Sequence, residues 1–138
     1  LGLKSADVVA RDAGRAAGLL AAAEQLGLRV RLRGFGDLTA DPLPGLLIST
    51  LPAGAADIYA ERTEHTHQSP PAVFDVVYSP WPTRLASAAQ ACGAAVVGGF
   101  AMLLHQACAQ VELMTGKPAP LEAMRAGGEA ELARRAAH

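Results

Sequence analysis

Arg11 and Arg15 stand four residues apart, just after the short apolar run Ala6–Ala10 and in the opening of a helical pattern. Guanidinium forks at a strand end match phosphate oxygens and stack on flat rings. The same pair also reads as two solvated arginines at a helix start, with Asp12 between them carrying the wrong charge for an anion site. Ser49-Thr50 follows the run Leu46–Ile48, where its hydroxyls either face a ligand at the sheet edge or close a turn on their own backbone. Tyr78 ends the run Val73–Val77 ahead of Pro80 and Pro82, an amphipathic ring at a strand exit with a hydroxyl to offer. In the helix that starts at Gly99, Gln106 lies four residues from Met102 and three from Leu103, so the three share a face. A neutral amide there can donate and accept toward a polyhydroxylated or carboxylated ligand without a counter-ion. Alternatively it bonds a neighbouring strand end while His105 points outward. Gly98 and Gly99 let backbone come close to a flat ring at the helix start.

Other chemistries find no support. No Ser-His-Asp, paired-carboxylate or Cys-His arrangement is present, so no catalytic residue is assigned. His65-x-His67 lacks a third ligand at metal-site spacing and reads as part of a loop, so no metal is expected. Asp75 is embedded in an apolar strand and reads as the fixer of a turn or helix start. Cys92 and Cys108 sit among alanines and read as buried free thiols of a cytosolic protein.

The elements that must position these residues alternate. Ala6–Ala10, Arg29–Leu32, Leu46–Ile48, Val73–Tyr78 and Ala94–Val97 read as strands, with Arg29–Leu32 an edge strand wet on one face. Gly14–Leu26, Ala53–Glu64, the stretch from Thr83 to Ala91, Gly99–Thr115 and Leu121–Ala137 read as helices, with Thr83 as a cap. Gly34–Pro44 and His65–Pro71 read as loops. This order predicts an α/β fold, doubly wound, with a mainly parallel sheet and helices on both faces. In such a fold ligands bind at the carboxyl ends of the strands. The end of the second strand lies beside the adenosine ribose, where arginines accommodate a 2′-phosphate. No G-x-G-x-x-G/A follows a first strand, so the sign that usually marks a doubly wound nucleotide fold is lacking.

Composition is consistent with this. The 138 residues make one domain by length, 51% apolar and rich in alanine, which suits helices packed through small side chains. A formal net charge of −1 gives no basic surface for nucleic acid, and no run of 18 apolar residues suggests a membrane span. The chain opens on Leu1-Gly2, which reads as a helix end, and it is therefore expected to be a fragment of a longer protein.

The series VVARDAGRA, LLISTLPAG, FDVVYSPWPTRL and GGFAMLLHQACAQVELMTGKPAP, in this order, resembles the carboxyl-terminal domain of shikimate dehydrogenase, in wording closest to its actinobacterial branch. The resemblance covers nearly the whole chain. It implies a partial Rossmann-like, NADP-binding domain over residues 1–138, with its first strand and Gly-rich loop missing and the amino-terminal substrate and catalytic domain absent. The implied reaction is reversible reduction of 3-dehydroshikimate to shikimate, in aromatic amino-acid biosynthesis in the cytoplasm. The cofactor-binding residues it implies are Arg11 and Arg15 at the 2′-phosphate, Ser49 and Thr50 near the nicotinamide ribose, and Gly99, Met102 and Leu103 against the nicotinamide. Tyr78 and Gln106 are the implied substrate contacts. This chain departs from the family at Ala10 and Asp12 beside Arg11, at Ser49 in place of an asparagine, at Gly98 in place of an aspartate and at Ala101 in place of a glycine. The catalytic lysine and aspartate, the Ser-x-Ser turn and the phosphate loop would all precede residue 1, so the isolated chain is expected to be inactive. The implied partners are shikimate or 3-dehydroshikimate and either a second copy of the chain or the absent domain, with no nucleic acid and no membrane. Two other readings stay open at this point: a degenerate, non-catalytic nucleotide-binding module, and a quinate-preferring relative.

Overall fold

The alternation of arginine with Val30 and Leu32 gives one strand a wet face, and the apolar run before it supplies that strand's neighbour. The computed structural model describes residues 2–36 and 43–137, which fall into two units, Leu1–Pro42 and Leu43–His138. It is an α/β architecture of parallel sheets with helices on both faces. Among the described residues the parallel strands form a two-stranded sheet in one unit and a three-stranded sheet in the other. Leu1 and residues 37–42, which include most of the Gly34–Pro44 loop, lie outside the described residues, as does His138.

In the first unit β1 (Ser5–Val9) pairs in parallel with β2 (Arg29–Arg33), Ser5 opposite Arg29 and Val9 opposite Arg33. β1 begins one residue earlier than its apolar run and is not fully buried. Asp7 faces outward between Arg31 and Arg33, whose Nε atoms lie 2.9 Å from its two carboxylate oxygens. The helix expected from Gly14 opens instead as a 3-10 turn, Ala13–Ala16, before α1 (Ala17–Gln25). Asp12 caps that turn, its carboxylate accepting the Gly14 N–H at 2.9 Å.

The second unit carries β3 (Leu47–Ser49), β4 (Ala72–Asp75) and β5 (Ala95–Gly98), parallel and in that order, with Leu47 opposite Val73 and Val73 opposite Val96. α2 (Asp57–Thr66) and α3 (Arg84–Ala91) are the crossovers. They meet through Ala56, Ala60, Ala88 and Ala89 over Val73 and Leu85, so the alanines buy close helix approach at little side-chain entropy. Burying Val73 and Leu85, 1% and 2% exposed, contributes about 1.5–3 kcal/mol each. Tyr59 packs against this core, and burial pushes its phenol up to about 12. Arg84 pins α3 to α2 by reaching Glu61 at 2.9 Å and Glu64 at 2.7 Å, and its hydrogen bond holds the Glu64 carboxyl below the ordinary range.

Several boundaries differ from expectation. β3 and β5 each run one residue later, because hydrogen-bonded pairing with β4 sets their ends while Leu46 and Ala94 are as apolar as the residues that pair. α2 begins at Asp57 and continues through His65 to Thr66, so His65 is helical and only His67, with φ 53°, turns the chain out. The thiols of Cys92 and Cys108 are free but half-buried, and the Cys108 Sγ lies 3.8 Å from the Met124 Sδ. α4 (Gly99–Thr115) has the expected limits, yet only Gly99 and Leu104 are buried on it. It packs against β5 and α5 (Leu121–Ala136) along one stripe, and its outer side carries Leu113 and Met114 in the open.

Candidate functional site

Strand β4 ends sooner than its sequence suggests, and this shapes the site. The Val76 N–H still bonds the Ser49 carbonyl at 3.0 Å, but the Val77 N–H turns back onto the Asp75 carboxylate at 3.2 Å. The other carboxylate oxygen accepts the Thr83 hydroxyl at 2.7 Å, and Thr83 in turn caps α3 by accepting the Ala86 N–H at 3.1 Å. Asp75, 1% exposed, therefore fixes both a turn and a helix start, as its place in the sequence predicts. Tyr78 is displaced by this turn: it lies three residues beyond β4 rather than at its end.

The turn and the start of α4 are tied together. The Gly99 N–H donates to the Val77 carbonyl at 3.1 Å. A side chain on Gly99 would strike the Val76 carbonyl, so the close approach that glycine permits here is backbone on backbone. At Gly98 the neighbour is a flat ring of the protein's own: a Cβ there would sit 2.8 Å from the Trp81 indole. Gly98 is also the N-cap of α4 and offers no side-chain cap, so the positive end of a 17-residue helix opens at the carboxyl end of the sheet.

The remaining predicted residues of this unit lie as follows. Ser49 is 6% exposed and its hydroxyl has no partner, while Thr50 beyond it is exposed. Met102 and Leu103 are 38% and 37% exposed, with His105 and Gln106 also in the open. Tyr78 and Leu103 share one groove of about 320 Å³ between α4 and α5, which Gln106 does not line. That groove also brings in Arg135 and Glu131 of α5, residues that no motif or spacing singles out. Arg134 and Arg135 bond the Glu131 carboxylate and hold it down to about 2. In the first unit Arg11 and Arg15 follow β1, both exposed. Arg15 leans on Asp12 at 3.5 Å, so the acid between the arginines serves as a cap and a weak partner. Among the described residues no group of three or more His, Cys, Asp or Glu side chains is placed to hold a metal, and no helix is long and apolar enough to cross a membrane.

Residues 99–126, which begin at the α4 start just described, match the family model "Shikimate 5'-dehydrogenase C-terminal domain". Over 54 residues the chain is 54% identical to a shikimate dehydrogenase (NADP(+)) of Chlorobium phaeobacteroides, covering 39% of this chain and 18% of that one. The crystal structure of Mycobacterium tuberculosis shikimate dehydrogenase superposes on 94% of the chain with a TM-score of 0.74 and 39% identity. In sequence and fold the chain is similar to the carboxyl-terminal portion of shikimate dehydrogenases. A shikimate 5-dehydrogenase from Mycobacterium fortuitum gives the same answer, with a TM-score of 0.75 and 40% identity over 91% of the chain. The chain spans about half the length of these two structures, 48% and 46%. The segment that the family model covers includes Met102, Leu103 and Gln106.

Proposed function

We propose that this chain is the cofactor-binding portion of an NADP-dependent shikimate dehydrogenase, acting in the cytoplasm on shikimate and 3-dehydroshikimate in aromatic amino-acid biosynthesis. The observation that carries this reading is the start of α4, where Gly99 is locked behind the Val76–Val77 turn and Met102, Leu103 and Gln106 stand exposed on a rigid helix. An apolar wall ending in one neutral amide suits a flat ring beside a hydroxylated substrate. A bound nicotinamide would supply the hydride. The residues of this chain bind and orient: Gly99, Met102 and Leu103 form the wall, and Ser49 and Thr50 lie at the adjoining strand end. Arg11 and Arg15 take the 2′-phosphate, while Tyr78 and Gln106 contact the substrate. Positioning of this kind accounts for much of the rate of a hydride transfer. The groups that donate a proton to the carbonyl oxygen and cradle the pyrophosphate are assigned to sequence upstream of Leu1. Residues 1–138 are read as a truncated domain.

The test is shikimate-dependent reduction of NADP, followed by NADPH absorbance. No turnover is expected from the 138 residues, and turnover is expected once the chain is extended upstream. No turnover in the extended enzyme would favour a non-catalytic nucleotide-binding module, and a preference for quinate would move the substrate assignment. In the same assay Gln106→Ala is expected to raise the KM for shikimate about three- to tenfold, the worth of a neutral hydrogen bond, while leaving the KM for NADP alone. A change confined to the NADP term would remove Gln106 from the substrate site. Arg11→Ala is expected to cost about 1.5–3 kcal/mol of the preference for NADP over NAD, the range for a charge-assisted hydrogen bond. Unchanged cofactor preference on comparing kcat/KM would exclude Arg11 from the 2′-phosphate.

A further inference from the structure

Gly98, the last residue of β5, and Gly99, the first of α4, put two glycines in succession at the joint on which the wall of α4 is mounted. Such a pair has no side chain of its own to limit the backbone, so it is a hinge unless its surroundings stiffen it. Gly99 is stiffened by the Val76–Val77 turn. Gly98 has φ −94° and ψ 163°, extended backbone open to any residue, so its conformation does not require glycine. Space does. A Cβ there would lie 2.8, 2.9 and 3.0 Å from Cζ2, Cη2 and Cε2 of Trp81. These are three consecutive atoms of one ring, and near-equal distances to all three place the point over the ring's face. At the rim the middle atom would be much the nearest. The indole therefore lies flat on the Gly98 backbone.

The ring is itself anchored. Pro80 and Pro82 restrict the backbone on either side of it. Thr83, two residues on, is bonded to the buried Asp75 at 2.7 Å. Trp81 is nevertheless 40% exposed and does not belong to the apolar cluster around Val73 and Leu85. Core packing therefore does not account for this large ring, whereas its seat on the joint does. Two contacts on successive residues then hold the start of α4: the indole against Gly98 and the Val76–Val77 turn against Gly99. Met102 and Leu103 lie about one turn further on, so a tilt at the joint displaces both. We infer that Trp81 is a positioning residue for the reaction, its indole face stiffening the β5–α4 joint that carries the wall. The inference rests on the cofactor reading above and adds a residue that acts through Gly98 rather than by touching either ligand.

Trp81 is the only tryptophan of the chain, so its emission reports on this contact alone. In the 138-residue chain Gly98→Ala is expected to move the emission maximum to longer wavelength, as the methyl lifts the indole into water. An unchanged spectrum would overturn the contact. In the upstream-extended enzyme Trp81→Leu keeps apolar bulk but has no flat face. Its kcat for shikimate oxidation is expected to fall about tenfold with both KM values within about twofold, the pattern of lost alignment rather than lost binding. Trp81→Phe restores a flat ring and is expected to recover most of that loss. Adding Gly98→Ala to Trp81→Leu is expected to cost little more, since the methyl no longer meets a ring. An unchanged kcat in Trp81→Leu, or a lower urea midpoint with kcat per folded molecule unchanged, would show a tryptophan that serves the fold alone. Either result would overturn the positioning role and leave the cofactor reading standing. No turnover by the extended parent would overturn the cofactor reading, and the positioning role with it.

Discussion

Gly99→Ala is expected to cost about 3 kcal/mol or more of stability and to lower turnover of the upstream-extended enzyme roughly 100-fold. Alanine suits a helical backbone, so the cost is steric. Its Cβ would enter the space of the Val76 carbonyl and lie 3.1 Å from the Val77 carbonyl carbon. That turn cannot retreat cheaply, because Val76 is bonded to Ser49 at 3.0 Å and Val77 to Asp75 at 3.2 Å. The start of α4 must move instead, carrying Met102, Leu103 and Gln106 with it. A shift of about 1 Å there is large on the scale that hydride transfer tolerates.

Gly98→Ala supplies the control. Its Cβ would meet the Trp81 ring at 2.8 Å, but a side chain can swing where a bonded backbone cannot. It is expected to cost about 1 kcal/mol, at the low end of overpacking. Urea unfolding of the 138-residue chain and steady-state rates of the extended enzyme measure both variants. Equal effects at the two glycines would mean that the Val76–Val77 turn yields as easily as the indole, and the wall would lose its fixed base.

Much of this site could be read from the residues, and the parts that could not have definable causes. Thr83 as a cap and α4 from Gly99 to Thr115 follow from a hydroxyl and a glycine pair at unambiguous places. Strand ends were harder, since a run such as Leu46–Leu47–Ile48 satisfies apolar pairing in either of two registers, and the ladder to Val73 and Phe74 chooses between them. The early end of β4 depends on a side chain, Asp75, competing with the ladder for the Val77 N–H. Trp81 against Gly98 is a contact between residues 17 apart, for which no periodicity gives a signal, although an indole near a glycine pair is a hint in retrospect. The sparse burial on α4 is illegible for a similar reason. Its apolar residues run all round the helix, and sequence cannot tell a face covered by protein from one left open for a ligand.

Asp75→Ala is expected to destabilise the chain by about 2–4 kcal/mol, since it leaves the Val77 N–H and the Thr83 hydroxyl without their acceptor in a buried setting. Asp75→Asn is the informative companion. The amide oxygen can still accept the Val77 N–H, and the amide nitrogen can donate to the Thr83 oxygen, so a loss of only about 1 kcal/mol is expected. Equal losses for the two variants would show that the carboxylate, rather than an acceptor of this shape, is required. Function separates the two roles of the turn. Tyr78 follows Val77 directly, so releasing the Val77 N–H should raise the KM for shikimate in the extended enzyme even at a temperature where Asp75→Ala is fully folded. Loosening the α3 cap by Thr83→Ala should lower stability by about 1 kcal/mol without that change in KM. If both variants lose stability and neither alters the substrate term, Asp75 supports the fold alone and Tyr78 is placed by something other than this turn.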